Sequence, residues 1–158
     1  MGIPVAWALV LSACVAGLVA LAAVPRILIR RRQDALAAEA TARPGAAWKL
    51  LTRADLVVSR YRRLPGLLGL TGDRLAFEGV FGESIELPTS RIRKIETGAR
   101  LASGRLLFGL EVLRITRASG DRVEFVLTRP AASAWRSHLG LWAMAEHQAD
   151  ADRVSPGN

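Results

Sequence analysis

The stretch that decides the fold runs from Leu106 to Trp142, LLFGLEVLRITRASGDRVEFVLTRPAASAWRSHLGLW. Two runs of period two, Leu106–Arg117 and Arg122–Thr128, flank Ala118-Ser119-Gly120-Asp121, a hairpin turn signal. In the second run Val123, Phe125 and Leu127 share one face. Pro130 then suits the first turn of a helix. Beyond it Trp135, Leu139 and Trp142 fall at i, i+4 and i+7, with Ala131 and His138 on the same flank. Two large rings on one stripe need a broad apolar surface, and a curled antiparallel sheet capped by that helix supplies one. Each Å² of apolar area so covered is worth about 25 cal/mol.

Upstream, the same short alternating runs recur, bounded by Gly, Asp, Pro or Ser. Asp55–Arg60 and Gly66–Thr71 are candidate strands. In Arg74–Phe81, Leu75, Phe77 and Phe81 alternate with Arg74, Ala76 and Glu78. Glu83–Leu87 repeats the pattern up to Pro88, and Ile92 and Ile95 anchor an irregular segment, SRIRKIE. Carboxylates that alternate with apolar residues, Glu78, Glu83, Glu86, Glu111 and Glu124, are expected to face solvent. The expectation is six to seven antiparallel strands in a partly open barrel, capped by one C-terminal helix.

Towards the amino terminus the chemistry changes. From Ile3 to Val24 the 22 residues IPVAWALVLSACVAGLVALAAV carry no charge, and about 20 helical residues cross a bilayer core. Pro25 closes the segment, and Arg26, Arg30, Arg31 and Arg32 follow, whereas no Lys or Arg precedes it. The positive-inside rule then places the amino terminus outside and the C-terminal domain in the cytoplasm, with the chain single-pass in the cell's inner (plasma) membrane. Trp7 suits the headgroup level on the outer side. Ala20-Leu21-Ala22 has the form of a signal-peptidase site, but the charged region that precedes such sites is missing. Leu11-Ser12-Ala13-Cys14 has the form of a lipoprotein cleavage box, yet apolar sequence continues ten residues past Cys14. Ala13 and Gly17 are spaced for close helix approach, a match expected by chance in an Ala-rich span. Gln33–Ala42 consists of strong helix formers that extend the helix, until Arg43-Pro44-Gly45 breaks it. The divisions are therefore a transmembrane anchor (1–25), a basic juxtamembrane stalk and linker (26–47), a domain (48–147) and a polar tail (148–158).

Composition narrows the function. The chain has 158 residues, a net charge of +8, one Cys and two His, which leaves no disulfide framework, no zinc cluster and no implied cofactor. His138 and His147 both belong to the final helix or its end, and no nucleophile-and-base pair, phosphate loop or metalloprotease motif occurs. Catalysis is not expected. Neither is nucleic-acid binding: four of the basic residues are explained by membrane topology, and no aromatic platform or recognition helix is evident. Arg- and Ala-rich, Lys-poor usage fits a bacterium with a GC-rich genome.

Residues 50–145 resemble a bacterial pleckstrin-homology or GRAM-like domain. The likeness rests on Leu70-Thr71 to Arg74-Leu75 and Phe77, on Ile85-Glu86-Leu87-Pro88 with Ile92, on Leu113-Arg114-Ile115 with Gly120 and Phe125, and on the helix bearing Trp135. These are degenerate motifs that carry a fold and not a chemistry. The resemblance implies a non-catalytic module for anionic lipids, peptides or protein surfaces. It also implies that the first strand turn, Arg60-Tyr61-Arg62-Arg63, lines a lipid-headgroup site, to which Arg74, and Arg53 or Lys49, could add. Guanidinium forks bind phosphate bidentately. A chain with 20 Arg also carries such triplets simply solvated, and Arg91, Arg93 and Lys94 form a second cluster. The expected role is an adaptor contacting anionic inner-leaflet lipid or another membrane protein. The alternative is a structural accessory subunit of a stable membrane complex.

Overall fold

Among the residues that the computed structural model describes, 5–45 and 47–139, seven strands and two helices realise these patterns. Helix α1, Val5–Ala42, leads into strands β1 (Leu50–Val57), β2 (Arg63–Leu70), β3 (Arg74–Gly79) and β4 (Ser84–Pro88). A 3-10 turn, Thr89–Arg91, rounds the corner into β5 (Ile92–Gly98), followed by β6 (Leu110–Arg117) and β7 (Arg122–Thr128). A final helix, α2, is described over 129–139. The strands form one antiparallel sheet in the order β4-β3-β2-β1-β7-β6-β5. Each strand pairs with its sequence neighbour except at β4/β5, and β1 with β7 joins the two halves. The result is a half-barrel, open between β4 and β5.

The concave face holds the core. Leu68, Leu75, Phe77, Leu113, Ile115 and Phe125 are fully buried there, and Ala132, Trp135 and Leu139 of α2 plug it. Phe77 and Phe125 meet at 5.5 Å between ring centres, tilted by 42°. Trp142, His147 and the tail lie outside the described residues.

Four expectations shift. The first strand begins at Leu50, because Leu50, Thr52, Ala54 and Leu56 already alternate inward, while Val58–Arg62 makes the turn. The segment SRIRKIE contains a strand: a bulge between Ile92 and Lys94 absorbs one residue, so Ile92 and Ile95 both lean on the core despite a spacing of three. The run from Leu106 is interrupted, since residues 99–107 fold as their own small hairpin before β6 starts at Leu110. Lastly, Glu124 is buried, because that hairpin covers the convex face where solvent was expected.

Helix α1 passes through Pro25 without a break. A proline costs one internal hydrogen bond, a loss a long helix can absorb. Its apolar part is long and apolar enough to cross a membrane, with Leu11, Val15, Leu18, Val19 and Leu21 all more than half exposed. Segment 26–47, read as stalk and linker, is helical to Ala42. Its last turns lie on the convex face of the sheet. Ile29, Gln33, Leu36, Ala37 and Ala40 form one partly or fully buried stripe at helical spacing. The Gln33 side-chain amide donates to the Gly66 carbonyl at 3.0 Å, and the Trp48 indole N–H donates to the Ala40 carbonyl at 2.9 Å. Arg43 grips Glu78 with both arms of its guanidinium, and Arg53 pairs with Asp34. Gly69 leaves the space that the Trp48 ring fills.

Candidate functional site

The turn between β1 and β2 is built by Ser59. Its hydroxyl accepts the N–H groups of Tyr61 and Arg62, while the Arg62 carbonyl accepts those of Val58 and Ser59. Arg60, Tyr61 and Arg62 are pushed outward and exposed, and Arg63 opens β2 half-buried. The Arg60 guanidinium lies over the Tyr61 ring, 5.5 Å from its centre, a cation–π contact that narrows the choices of both side chains. Arg63 sits near Asp55 on the convex face. Burial raises the Asp55 carboxyl above the usual carboxylate range, and the Arg63 charge opposes that rise.

The remaining sequence candidates lie elsewhere. Arg74 begins β3 beside Leu70, at the far end of the sheet from the turn, and pairs with Glu86 at 3.5 Å. Arg53 is held by Asp34, and Lys49 precedes β1 at that same far end. A pocket of about 300 Å³ there includes Arg43, Arg74, Glu78 and Glu86, so its charges are matched. Arg91, Arg93 and Lys94 are exposed around the corner into β5, and Lys94 pairs with Glu96 at 2.8 Å. Arg26, Arg30, Arg31 and Arg32 are all exposed along α1.

Sequence reasoning missed the other wall of the site. In the hairpin 99–107, Leu101 donates to Arg105 at 3.0 Å and Leu107 to Ala99 at 2.9 Å, and Gly104 takes a φ of +82° at the tip. Leu101 and Leu107 seal onto Val112 and Val126, a small second core on the convex face. Glu124 pins the tip: its carboxylate accepts the Ala102 N–H at 2.9 Å and binds Arg114 at 2.7 Å. So fixed, Ser103, Gly104 and Arg105 stand against Arg60 and Tyr61 across a cleft of about 580 Å³. A smaller groove beside it, about 220 Å³, brings in Arg122. The signal for the hairpin was present in Ser103-Gly104, a turn dipeptide between two leucines. Among the described residues, no cluster of His, Cys, Asp and Glu converges to hold a metal ion.

No family model matches the chain, and no curated protein matches it. A solved structure described as the C-terminal domain of an unknown protein from Leishmania infantum is similar over 61% of this chain and 84% of that one, at 12% identity and a TM-score of 0.49.

Proposed function

We propose that the protein is a single-pass membrane protein displaying a cytoplasmic pleckstrin-homology-like binding module, whose β1–β2 turn contacts anionic lipid of the inner leaflet. The half-barrel meander plugged by one C-terminal helix supports the pleckstrin-homology-like assignment. The exposed, uncharged length of α1 supports the membrane span: a helix apolar all round requires lipid or protein to cover it. One observation carries the functional reading. Arg60 and Arg62 are exposed with no ion-pair partner among the described residues, and Arg63 has only the nearby Asp55 charge, whereas Arg43, Arg53 and Arg74 at the docked face or far end are all ion-paired. Each unmatched cation near an anionic leaflet contributes about 1 kcal/mol.

The test places an environment-sensitive dye at Tyr61→Cys in a Cys14→Ser background, with the full chain in nanodiscs. Adding anionic lipid should blue-shift the dye, and the shift should shrink between low and physiological salt as charges become screened over about 8 Å. Arg60, Arg62 and Arg63 changed to Gln should abolish the shift, while the same change at Arg91, Arg93 and Lys94 should leave most of it. A dye indifferent to anionic lipid would refute lipid contact. A second reading, the accessory subunit of a membrane complex, draws on Phe81 and Phe108, which are 67% and 88% exposed. Stoichiometric co-purification of a membrane protein in mild detergent, lost on Phe108→Ser, would favour it.

A further inference from the structure

We infer that the cleft between the β1–β2 turn and the 99–107 hairpin is a phosphate-binding site, with Arg60 on one wall, Arg105 on the other, Arg122 beside them and the Ser103 hydroxyl as a further donor. The chemistry follows from charge matching. Two arginines from different loops line one opening, and among the described residues none of the three makes an ion pair, although the Arg122 charge is felt by Glu96. The one carboxylate at this opening, Glu124, is engaged by Arg114 and by the Ala102 N–H. An opening so lined favours a dense anion with several acceptor oxygens, and arginine forks match phosphate. Arg60 is already steered by Tyr61, so less freedom is lost on binding. Glu124 is a positioning residue, since its carboxylate is taken up by Arg114 and the Ala102 N–H and sets the hairpin tip.

The location within the molecule suits a phosphate presented by lipid, a point that rests on the membrane reading above. Going forward along α1, Gln33 lies at Gly66 and Ala40 reaches Gly69 through Trp48. Seven helical residues and three strand residues each advance about 10 Å, so helix and strand run side by side. Going backward from Gln33 to Pro25 covers about 12 Å, and from Gly66 to Arg62 about 13 Å. The turn therefore comes level with the start of the arginine cluster, where the uncharged segment ends.

Two phosphate sources share this chemistry, a lipid headgroup and a soluble polyphosphate, and they are separable. The full chain in phosphatidylcholine nanodiscs is titrated with inorganic pyrophosphate by calorimetry, then tested in discs containing phosphatidic acid. The dye for that test is at Phe81→Cys in a Cys14→Ser background, an exposed position at the same end of the sheet and outside the cleft. Arg60→Gln with Arg105→Gln should weaken binding about 30-fold, whereas Arg91→Gln with Arg93→Gln, an equal loss of charge, should change it less than about 3-fold. Gly104→Val, which alters the tip without touching charge, should also weaken it. Glu124→Gln should weaken binding although it makes the protein more positive. Equal losses from the two double variants, or tighter binding by Glu124→Gln, would overturn the cleft in favour of net charge. Binding of phosphatidic acid without pyrophosphate assigns the phosphate to lipid, and binding of neither overturns the site. Pyrophosphate binding with a dye blind to anionic lipid would keep the cleft and remove the membrane contact.

Discussion

A single methyl group at Gly69 should unseat α1 from the sheet. Built on the backbone there, a Cβ would lie 2.3 Å from Cζ3 of Trp48 and 3.1 Å from Leu51. Ordinary contact begins near 3.4 Å, so the indole must retreat by about 1 Å. That retreat strains or breaks the indole bond to the Ala40 carbonyl, a loss of about 1 kcal/mol. Overpacking adds about 1–2 kcal/mol. Gly69→Ala should therefore weaken the docking of residues 29–40 by roughly 2–3 kcal/mol while leaving the concave core intact, because Gly69 projects to the convex side. The assay is thiol labelling of Ala37→Cys in a Cys14→Ser background, since Ala37 is half-buried under the dock. Labelling should accelerate by about 30-fold or more, at tenfold per 1.4 kcal/mol. Gly72→Ala is the control, as its Cβ would meet nothing nearer than Lys49 Nζ at 4.0 Å. Unchanged labelling in Gly69→Ala, or equal acceleration in both variants, would refute the clamp.

Trp135→Ala should cost about 3–5 kcal/mol in thermal or denaturant unfolding of the full chain, enough to unfold a marginal domain. Trp135→Phe should cost less than half of that, because the buried indole N–H has no partner among the described residues and nothing polar is lost with it. Asp55→Asn should raise stability at neutral pH. With its carboxyl raised by burial, Asp55 favours folding at pH below its unfolded value near 3.8 and loses that contribution as pH rises through the higher folded value. The substitution should therefore flatten the pH dependence of the melting temperature across that interval, and an identical profile would reject the assignment. Neutralising Arg26, Arg30, Arg31 and Arg32 while adding Lys near Met1 should weaken or invert the orientation reported by a C-terminal fusion, and a fusion outside the cell in the wild type would overturn the cytoplasmic placement.

What the sequence made legible was whatever a two- or 3.6-residue period can carry. The hairpin of β6 and β7, the β3 alternation and the Trp135 stripe were readable because each buries one face of a regular element. The β5 strand escaped because its bulge disguises period two as period three. The docking of α1 escaped for a different reason. A stripe of Ile29, Gln33, Leu36, Ala37 and Ala40 is weak as an apolar signal, and its partner is the convex sheet face, where Gly69 makes room for a tryptophan borrowed from outside the strands. At the site, the turn arginines were visible as a charge run, but which of the basic residues are matched depends on long-range pairing. Arg74 and Arg53 looked equivalent to Arg60 until their acidic partners, Glu86 and Asp34, came into contact from 12 and 19 residues away. Arg105 joined the cleft only because a buried Glu124 holds a hairpin of which periodicity had seen only the last two residues, Leu106 and Leu107, as the start of a strand.

The clamp changes what a basic turn can do. A domain on a slack 22-residue tether would sample a wide volume, and its turn would meet the bilayer only through its own affinity. Here four separate contacts, from Gln33, Asp34, Ala40 and Arg43, fix the sheet to the helix that precedes it. The ordering cost is met in folding and is not repeated at each encounter. On the proposed membrane placement, weak individual contacts from Arg60, Arg62 and Arg105 would then suffice, since their effective concentration at the surface is set by covalent geometry. The same reasoning constrains specificity. A clamped cleft reaches only anions presented at its own height above the bilayer, so a phosphate held further out would escape it even at high affinity. Lengthening α1 between Leu28 and Ile29, ahead of the docked stripe, by one turn of four residues would move the cleft about 6 Å from the membrane and rotate it only about 40°. The lipid response at residue 61 should fall while pyrophosphate binding in neutral discs stays unchanged. Loss of both together would mean that the insertion had broken the dock, and a retained lipid response would mean that helix and sheet do not set the height of the turn.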